Sequence, residues 1–315
     1  MFDSQRLITI QFRVSIKLDT LLLTGSSGFI GSNLVSSINS NYKIFGISNK
    51  KQTNKIKNFF HQKKDLNVED IKIRSSFSTI VHLAALSDVK YCELNPSICV
   101  NVNVLGTKKM LEICRKKDSN FIFTSTSHVY GSPKKIPITE DERIKPTNIY
   151  ATSKIMAENL CESYAKTYGL NIAVLRLFSV YGPNSPQHNV VHSIMNQYMT
   201  KQVINLGNLK SKRDFIYIDD VIDAIKIIIK KQKGYEVFNV GCGKSTSIKS
   251  ICDNISKISK RKQKIILIKN KLRKNDIKEI KCSYSKINKI HNWKPKYDLN
   301  LGLQSMYNQL MSKVN

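Results

Sequence analysis

The sequence predicts an α/β fold: a doubly wound parallel sheet with a smaller C-terminal lobe. Three observations predict it. Leu21 to Gly31 runs from three apolar residues through Thr24 into glycines at 25, 28 and 31, and then into a helical repeat. Short, continuously apolar runs then alternate with helical segments up to residue 180. Strands buried on both faces read this way, and their alternation with helices implies βαβ units. After Tyr181-Gly-Pro183 the rhythm stops, loops lengthen, and Gly234, Gly241 and Gly243 break up the segments.

Taken in order, Met1 to Lys17 is an N-terminal extension with no small-residue cleavage site, a poor signal peptide. The first strand and turn come next, then Ser32 to Ile38 with helical periodicity. A glycine in the turn tolerates positive φ, a second lets the backbone approach a pyrophosphate, and a third lets the helix pack close. The phosphates then sit on free N–H groups at the positive end of the helix. Lys43 to Ile47 reads as a second buried strand. From Lys43 to Lys64 there are seven lysines and no acid, so the segment after that strand is expected to be surface. Thr79–Ala85, Asn120–Ser125 and Asn171–Phe178 are further strands, with helices over 100–115 and 148–168. The domain reading is a dinucleotide-binding unit over 18–180, a mainly substrate-binding lobe over 181–315, and a return of 214–241 to the first unit. Ligands of such sheets lie at the carboxyl ends of the strands, which gathers the glycine turn, Ala84 and Ala85, Thr124 to Thr126, and Phe178 and Ser179 around one crevice.

The 315 residues include 51 Lys and Arg against 23 acids, a net charge of +28. Lysine dominates and travels with abundant Asn and Ile, a bias that genome composition produces unaided. The positive field attracts nucleic acid only non-specifically, and the densest basic stretch, 257–281, lacks the aromatic interleaving of a single-strand platform. No apolar run reaches the roughly 18 residues of a membrane helix. Seven cysteines show no paired metal spacing, so free thiols in a reducing cytoplasm are expected, and no metal.

Tyr150-Ala-Thr-Ser-Lys154 sets a phenol and an ammonium one helical turn apart on one face. A nearby cation favours the phenolate, bringing a tyrosine toward the range useful for acid–base work. The same spacing occurs at Tyr130–Lys134, but Gly131-Ser-Pro133 breaks a helix there.

Around that pair, seven stretches occur in one order: Thr24-Gly-Ser-Ser-Gly-Phe-Ile-Gly31, His82-Leu-Ala-Ala85, Asn103-Val-Leu-Gly-Thr107, Thr124-Ser-Thr-Ser-His-Val-Tyr-Gly131, Tyr150 to Lys154, Leu175 to Pro183, and Arg213-Asp-Phe-Ile-Tyr-Ile-Asp-Asp220. From about residue 18 onward the chain resembles the extended short-chain dehydrogenase/reductase family, in its epimerase/dehydratase branch, similar to UDP-glucose 4-epimerase. The resemblance implies a Rossmann-like sheet, a nucleotide-sugar substrate, a homodimer, and NAD or NADP, with NAD tightly held in an epimerase. It implies that Thr126 bonds the reacting sugar oxygen, Tyr150 moves its proton, and Lys154 holds the nicotinamide ribose and tunes Tyr150. Gly25, Gly28 and Gly31 would border the pyrophosphate with Phe29 and Ile30 donating N–H groups. Asp65 and Leu66 would meet adenine, and Ala84, Ala85 and Phe178 would complete the cofactor site. Arg213 and Arg273 would grip the substrate diphosphate, Asn189 would reach it, and Ser87, Ser127 and Ser179 would line the sugar side.

The departures from the family pattern carry information. Ser48, followed by Asn49 and Lys50, stands where NAD-preferring members place an acid, so NADP is open. Ser127-His128 stands where 4,6-dehydratases carry Asp-Glu or at least Glu, which argues against dehydration. Ser179 replaces a common Asn, and Ser283 a common acid. The reading is a sugar-nucleotide 4-epimerase. The nearest alternative is an NADPH-dependent 4-keto-6-deoxysugar reductase. A nucleic-acid-binding or regulatory protein on the same scaffold is the alternative from another class, opposed by the intact Thr126, Tyr150 and Lys154.

Overall fold

The computed structural model describes residues 18–52, 55–66, 75–268 and 277–312. The 1–17 extension and Arg273 lie outside them. The first apolar runs become β1 (Asp19–Thr24), β2 (Tyr42–Ser48), β3 (Phe59–Lys63), β4 (Thr79–His82), β5 (Asn120–Thr126) and β6 (Ile172–Leu177). The remaining strands are β7 (Ser179–Tyr181), β8 (Val203–Leu206), β9 (Lys212–Tyr217), β10 (Tyr235–Val240), β11 (Ser245–Ser247) and β12 (Lys264–Leu267). Seven of them form one sheet in the order β10-β6-β5-β4-β1-β2-β3, every pair parallel. Strands β4 and β6 are buried along their whole length, as continuous apolar runs require.

The lysine-rich segment after β2 is not only loop. It supplies β3 at the sheet edge, with Phe60, Gln62 and Lys63 exposed. An edge strand needs no alternating apolar signal, and its cations discourage pairing with another chain.

Helices α1 (Phe29–Ile38), α2 (Val89–Leu94), α3 (Pro96–Val100), α4 (Gly106–Lys117) and α5 (Ile149–Tyr168) belong to the first part of the chain. The helix expected over 100–115 is α3 and α4 joined by a π-helical turn, Asn101–Leu105. The helix α5 opens where the Asn148 side chain accepts Ala151 N–H (2.9 Å) and stops at Gly169, a left-handed residue. The later helices are α6 (Val190–Thr200), α7 (Ile218–Lys231), α8 (Ile248–Ser259), α9 (Ser285–His291) and α10 (Leu299–Met311). One core joins α1 and α7 to the sheet, through Leu34, Val35, Val221 and Ile225. Another joins α4 and α5 to its other face, through Met110, Leu111, Ala157 and Cys161. Helices on both faces make the sheet doubly wound.

The segment 214–241 divides. Strand β10 lies in the main sheet beside β6, and α7 covers that sheet. Strand β9 instead joins a three-stranded sheet with β7 and β11, while β8 and β12 pair separately. No helix among the described residues is long and apolar enough to cross a membrane.

The chain winds outward from β1 through β2 to β3, then returns to β4 and continues through β5 to β6. The direction therefore reverses between β1 and β4, where open α/β sheets leave a crevice at the strand carboxyl ends. In register, Thr24 is beside His82, and Thr126 beside Leu177. A β-carbon on Gly31 would overlap the Gly25 carbonyl, so α1 seats against the turn only with glycine there. Gly31→Ala is expected to cost about 3 kcal/mol, the scale of overpacking a fixed contact. Urea denaturation against wild type measures it.

Candidate active site

The glycine turn is held from below. Gly25 adopts φ +69° and donates its N–H to the Ile47 carbonyl at the end of β2 (2.7 Å). A β-carbon there would lie 2.8 Å from the Ala84 nitrogen. The first backbone bond of α1 runs from Ser32 N–H to Gly28 O (2.9 Å). The N–H groups of Phe29, Ile30 and Gly31 therefore precede that ladder, at the positive end of the helix. No acid occupies its first turn. The Ser26 hydroxyl, buried in the turn, has no hydrogen-bond partner among the described residues. Open donors, crowded glycines and an orphaned hydroxyl suit the pyrophosphate of a dinucleotide.

Beyond the turn, Ser48 is buried while Asn49 and Lys50 are exposed. Ser48 Oγ meets Ser27 Oγ (2.8 Å), the Lys50 carbonyl (3.0 Å) and His61 Nε2 (2.8 Å). Sequence reasoning misses His61, because β3 itself gives no strand signal. Asp65 is half-buried, and Leu66 is buried against Gly106, with its carbonyl accepting Lys109 Nζ (2.9 Å).

The helix α5 brings Tyr150 and Lys154 to the carboxyl end of β5. Tyr150 packs among Cys92, Cys99, Leu86 and Val89. The Thr126 hydroxyl, which accepts His128 N–H (3.2 Å), hydrogen-bonds the phenol. The His128 ring stands edge-on to it at 6.0 Å, and Ser127 is buried beside them. Lys154 is 2% exposed, with its ammonium 4.0 Å from the centre of the Phe123 ring.

The expectation that Lys154 lowers the Tyr150 pKa does not describe this structure. Burial pushes the phenol up to about 12, and the Thr126 hydrogen bond only partly opposes it. Burial likewise lowers the Lys154 ammonium to about 8, against smaller opposing effects of Cys161 and Glu158. Desolvation outweighs the attraction that spacing alone predicts.

Two further motifs acquire a role. Thr107 donates to the Asn103 carbonyl (2.6 Å), so its oxygen accepts from His82 Nε2 (3.0 Å). That fixes the tautomer of His82, whose burial holds its pKa down to about 3. Its Nδ1 must accept from Thr24 (2.6 Å), and Thr24 accepts Ala84 N–H (3.2 Å). The Asn103 amide donates to Ser153 (2.9 Å) and to the Leu86 carbonyl (3.0 Å), and accepts Leu86 N–H (2.8 Å). Ser153 closes the path by donating to the Tyr150 carbonyl (2.8 Å).

The other expected residues are more dispersed. Ala84 and Ala85 lie half-buried beside the turn, and Ser87 is exposed. Phe178 is buried with Val129, Tyr130 and Ile138, and Ser179 opens β7 half-buried. Asn189 caps α6, accepting from Val191 and His192 (3.1 and 3.3 Å) and donating to the Val180 carbonyl (2.8 Å). One amide hydrogen is left for a ligand. Arg213 is half-buried and donates to the Lys212 and Ile277 carbonyls (2.8 and 2.7 Å). It does not pair with Asp214, whose buried carboxylate is taken by the N–H groups of Cys242, Gly243 and Cys282.

A doubly wound sheet with a glycine turn after β1 and Thr126, Tyr150 and Lys154 at the carboxyl end of β5 defines a dinucleotide-dependent α/β enzyme. Residues 21–241 match the model of the NAD dependent epimerase/dehydratase family, and the chain belongs to that family. It is 31% identical over 304 residues to a putative UDP-glucose 4-epimerase of Methanocaldococcus jannaschii, covering 91% of this chain and 97% of that one. The structure is similar to a UDP-N-acetylglucosamine 4-epimerase of Methanobrevibacter ruminantium in complex with UDP-N-acetylmuramic acid (TM-score 0.88, 26% identity, 95% of this chain and 100% of that one). It is also similar to a UDP-glucuronic acid 4-epimerase of Bacillus cereus in complex with UDP-glucuronic acid and NAD (TM-score 0.85, 28% identity, 93% and 99%).

The buried Lys154 has a consequence for stability. Its folded pKa, about 8, lies below the ordinary 10.5. Above 10.5 neither state is protonated and no penalty applies. As the pH falls from 10.5 to 8 the unfolded chain takes up the proton first, so stability falls. Below that window the full penalty, about 3 kcal/mol, remains. Lys154→Met is therefore expected to be more stable than wild type at neutral pH. Urea midpoints across the alkaline range should show the difference shrinking as the pH rises.

Proposed function

We propose that this chain is a nucleotide-sugar 4-epimerase of the UDP-glucose 4-epimerase kind, acting by transient oxidation at C4 with a nicotinamide dinucleotide retained between turnovers. The observation that carries this reading is that Thr126, Tyr150 and Lys154 stand together at the carboxyl end of β5, in the sheet whose β1 runs into the glycine turn.

The turn fits the cofactor: Gly25, Gly28 and Gly31 leave room for the pyrophosphate, with Phe29 and Ile30 donating N–H groups. Asp65 and Leu66 take the adenine side, and Lys154 takes the nicotinamide ribose. When bound, the oxidised nicotinamide supplies reversible oxidation of the sugar C4 carbinol and a positive charge beside the phenol. Tyr150 accepts the proton of the 4-hydroxyl and later returns it. Its high pKa keeps the phenol protonated, with little phenolate to accept a proton, until that charge arrives. Thr126 orients the same oxygen, and the wall of Leu86, Val89, Cys92 and Cys99 keeps water from the phenol. Arg213 takes the substrate diphosphate, with Arg273 as its partner and Asn189 offering its remaining amide hydrogen. Ser87, Ser127 and Ser179 line the sugar side of a lobe built mainly from residue 181 onward.

The test is sugar conversion by the purified protein. Denaturation should release a nicotinamide dinucleotide, identified by chromatography and absorbance, and a UDP-sugar should interconvert with its C4 epimer without net reduction of cofactor. Tyr150→Phe should lower kcat by about a thousandfold while the dinucleotide is still retained. Stoichiometric consumption of added NADPH would overturn this reading in favour of the 4-keto-6-deoxysugar reductase. Ser48, neutral where an acid would repel a 2′-phosphate, favours that second reading.

A second copy of the chain is proposed to cover the helices beside the site. Leu94 is 72% exposed, and Tyr91, Ile98, Leu105, Met156 and Tyr168 are exposed too, all on α2 to α5 or the turn between them. Such a patch points to an interface. Sedimentation should give a dimer, and Leu94→Glu should dissociate it.

A further inference from the structure

The surroundings of Ser48 define a site that spacing along the chain does not reveal. A hydroxyl has one proton and two lone pairs. Ser27 donates to Ser48, Ser48 donates to the Lys50 carbonyl, and His61 Nε2 takes the remaining position. The Ser48 oxygen is then saturated. His61 Nε2 therefore donates to Ser48, and what the cluster leaves for a ligand is the Ser27 oxygen as an acceptor and the His61 Nδ1, both residues half-buried.

The charged residues next to this cluster along the chain are cations. Lys50 and Lys51 lie exposed on the loop after β2. From β3, Lys63 stands opposite Ser48 in register, and Lys64 comes directly after it. Phe59 lies beside the ring at 6.0 Å, and the glycine turn contributes the neutral Ser26 and Ser27. The nearest acid along the strand is Asp65, beyond both lysines.

We propose that Ser27, Ser48 and His61 form the subsite for the 2′ position of the adenosine ribose, and that protonated His61 recognises a 2′-phosphate there. The chain then accepts NADP as well as NAD, with preference moving toward NADP as the pH falls. This rests on the nicotinamide-cofactor reading above.

Burial lowers the His61 pKa, so the imidazole is neutral at pH 7 and offers a hydroxyl no repulsion. A phosphate dianion beside the ring favours its charged form. Binding of NADP is therefore coupled to proton uptake by His61, and binding of NAD is not. Lys50 and Lys63 add attraction at either pH.

The test is titration of the full chain with NADH and with NADPH, followed by nicotinamide fluorescence, for wild type, His61→Gln and Ser48→Asp. Between about pH 8 and about pH 6 the wild-type Kd ratio should move about tenfold toward NADPH. A phosphomonoester itself titrates near about pH 6, so the flattened ratio expected of His61→Gln isolates the imidazole. Ser48→Asp should weaken NADPH about a hundredfold and leave NADH binding as tight or tighter. The same pH dependence in wild type and His61→Gln overturns the proposal, as does equal weakening of both cofactors by His61→Gln. NADPH binding about a hundredfold weaker than NADH at every pH overturns it too. Binding of neither dinucleotide would instead sink the nicotinamide reading itself.

Discussion

The site depends on a single line of directed hydrogen bonds from Thr24 under the glycine turn, through His82, Thr107, Asn103 and Ser153, to the backbone of Tyr150. All five linking side chains are buried, so none can exchange a lost partner for water. The donor at one end fixes the tautomer in the middle, and the tautomer fixes the donor at the other end. A histidine held neutral by burial serves this purpose because each ring nitrogen has one unambiguous role. Thr24 beneath the glycine turn and Tyr150, the proposed proton-transfer group, 126 residues apart in sequence, are thereby kept in one frame. Asn103 sits in the π-helical turn between α3 and α4. The wider winding there is of the kind that recurs at functional sites.

Burial that secures this geometry also opposes the chemistry. The pocket that excludes water raises the phenol and lowers the ammonium, so both groups are closer to neutral than their spacing implies. At neutral pH the phenol therefore keeps its proton, while Lys154, at about 8, is still a cation. Charge arriving with the cofactor is what such a pocket amplifies, because a low local dielectric strengthens each electrostatic contact. Burying Lys154 costs stability, a trade common at functional sites.

The sheet, its switch point and the Thr126–Tyr150–Lys154 cluster are legible in the sequence because they are written locally: apolar runs, a glycine turn, and one helical turn between Tyr150 and Lys154. What is not legible is nonlocal. The strand β3 carries Phe, His, Gln and Lys at an edge, where no alternation is needed, and His61 is hidden with it. Asn103 and Thr107 stand in plain view as a motif, but their partners lie on other elements. The direction of the Tyr150 shift escapes the sequence for a related reason. Spacing reports which charges are near, whereas the cost of burial depends on everything packed around them. Asn189 shows the same limit, since an amide in the expected place is largely engaged in capping α6.

The two Tyr–Lys pairs make the distinction between local pattern and tertiary role concrete. Tyr130 is fully buried, donates to Asn239 (2.7 Å) and accepts from Arg176 (3.0 Å). Arg176 grips Glu158 of α5 through three contacts, the shortest 2.7 Å, and also donates to the Glu140 carbonyl (3.2 Å). The Glu140 carboxylate in turn accepts Asn239 N–H (2.7 Å). The first tyrosine is thus a structural hub tying β6, β10 and the loop after β5 to the helix that carries the second. A buried ion pair of this kind adds little net stability over an apolar pair, but breaking one partner is costly, so it fixes position more than it adds strength. Glu158 lies one turn beyond Lys154, so the grip of Arg176 acts directly on the turn of α5 that presents the ammonium. The same four-residue spacing therefore leaves a buried structural tyrosine and an exposed lysine in one place, and in the other the pair proposed for proton transfer. What separates them is whether a helix continues between the two residues.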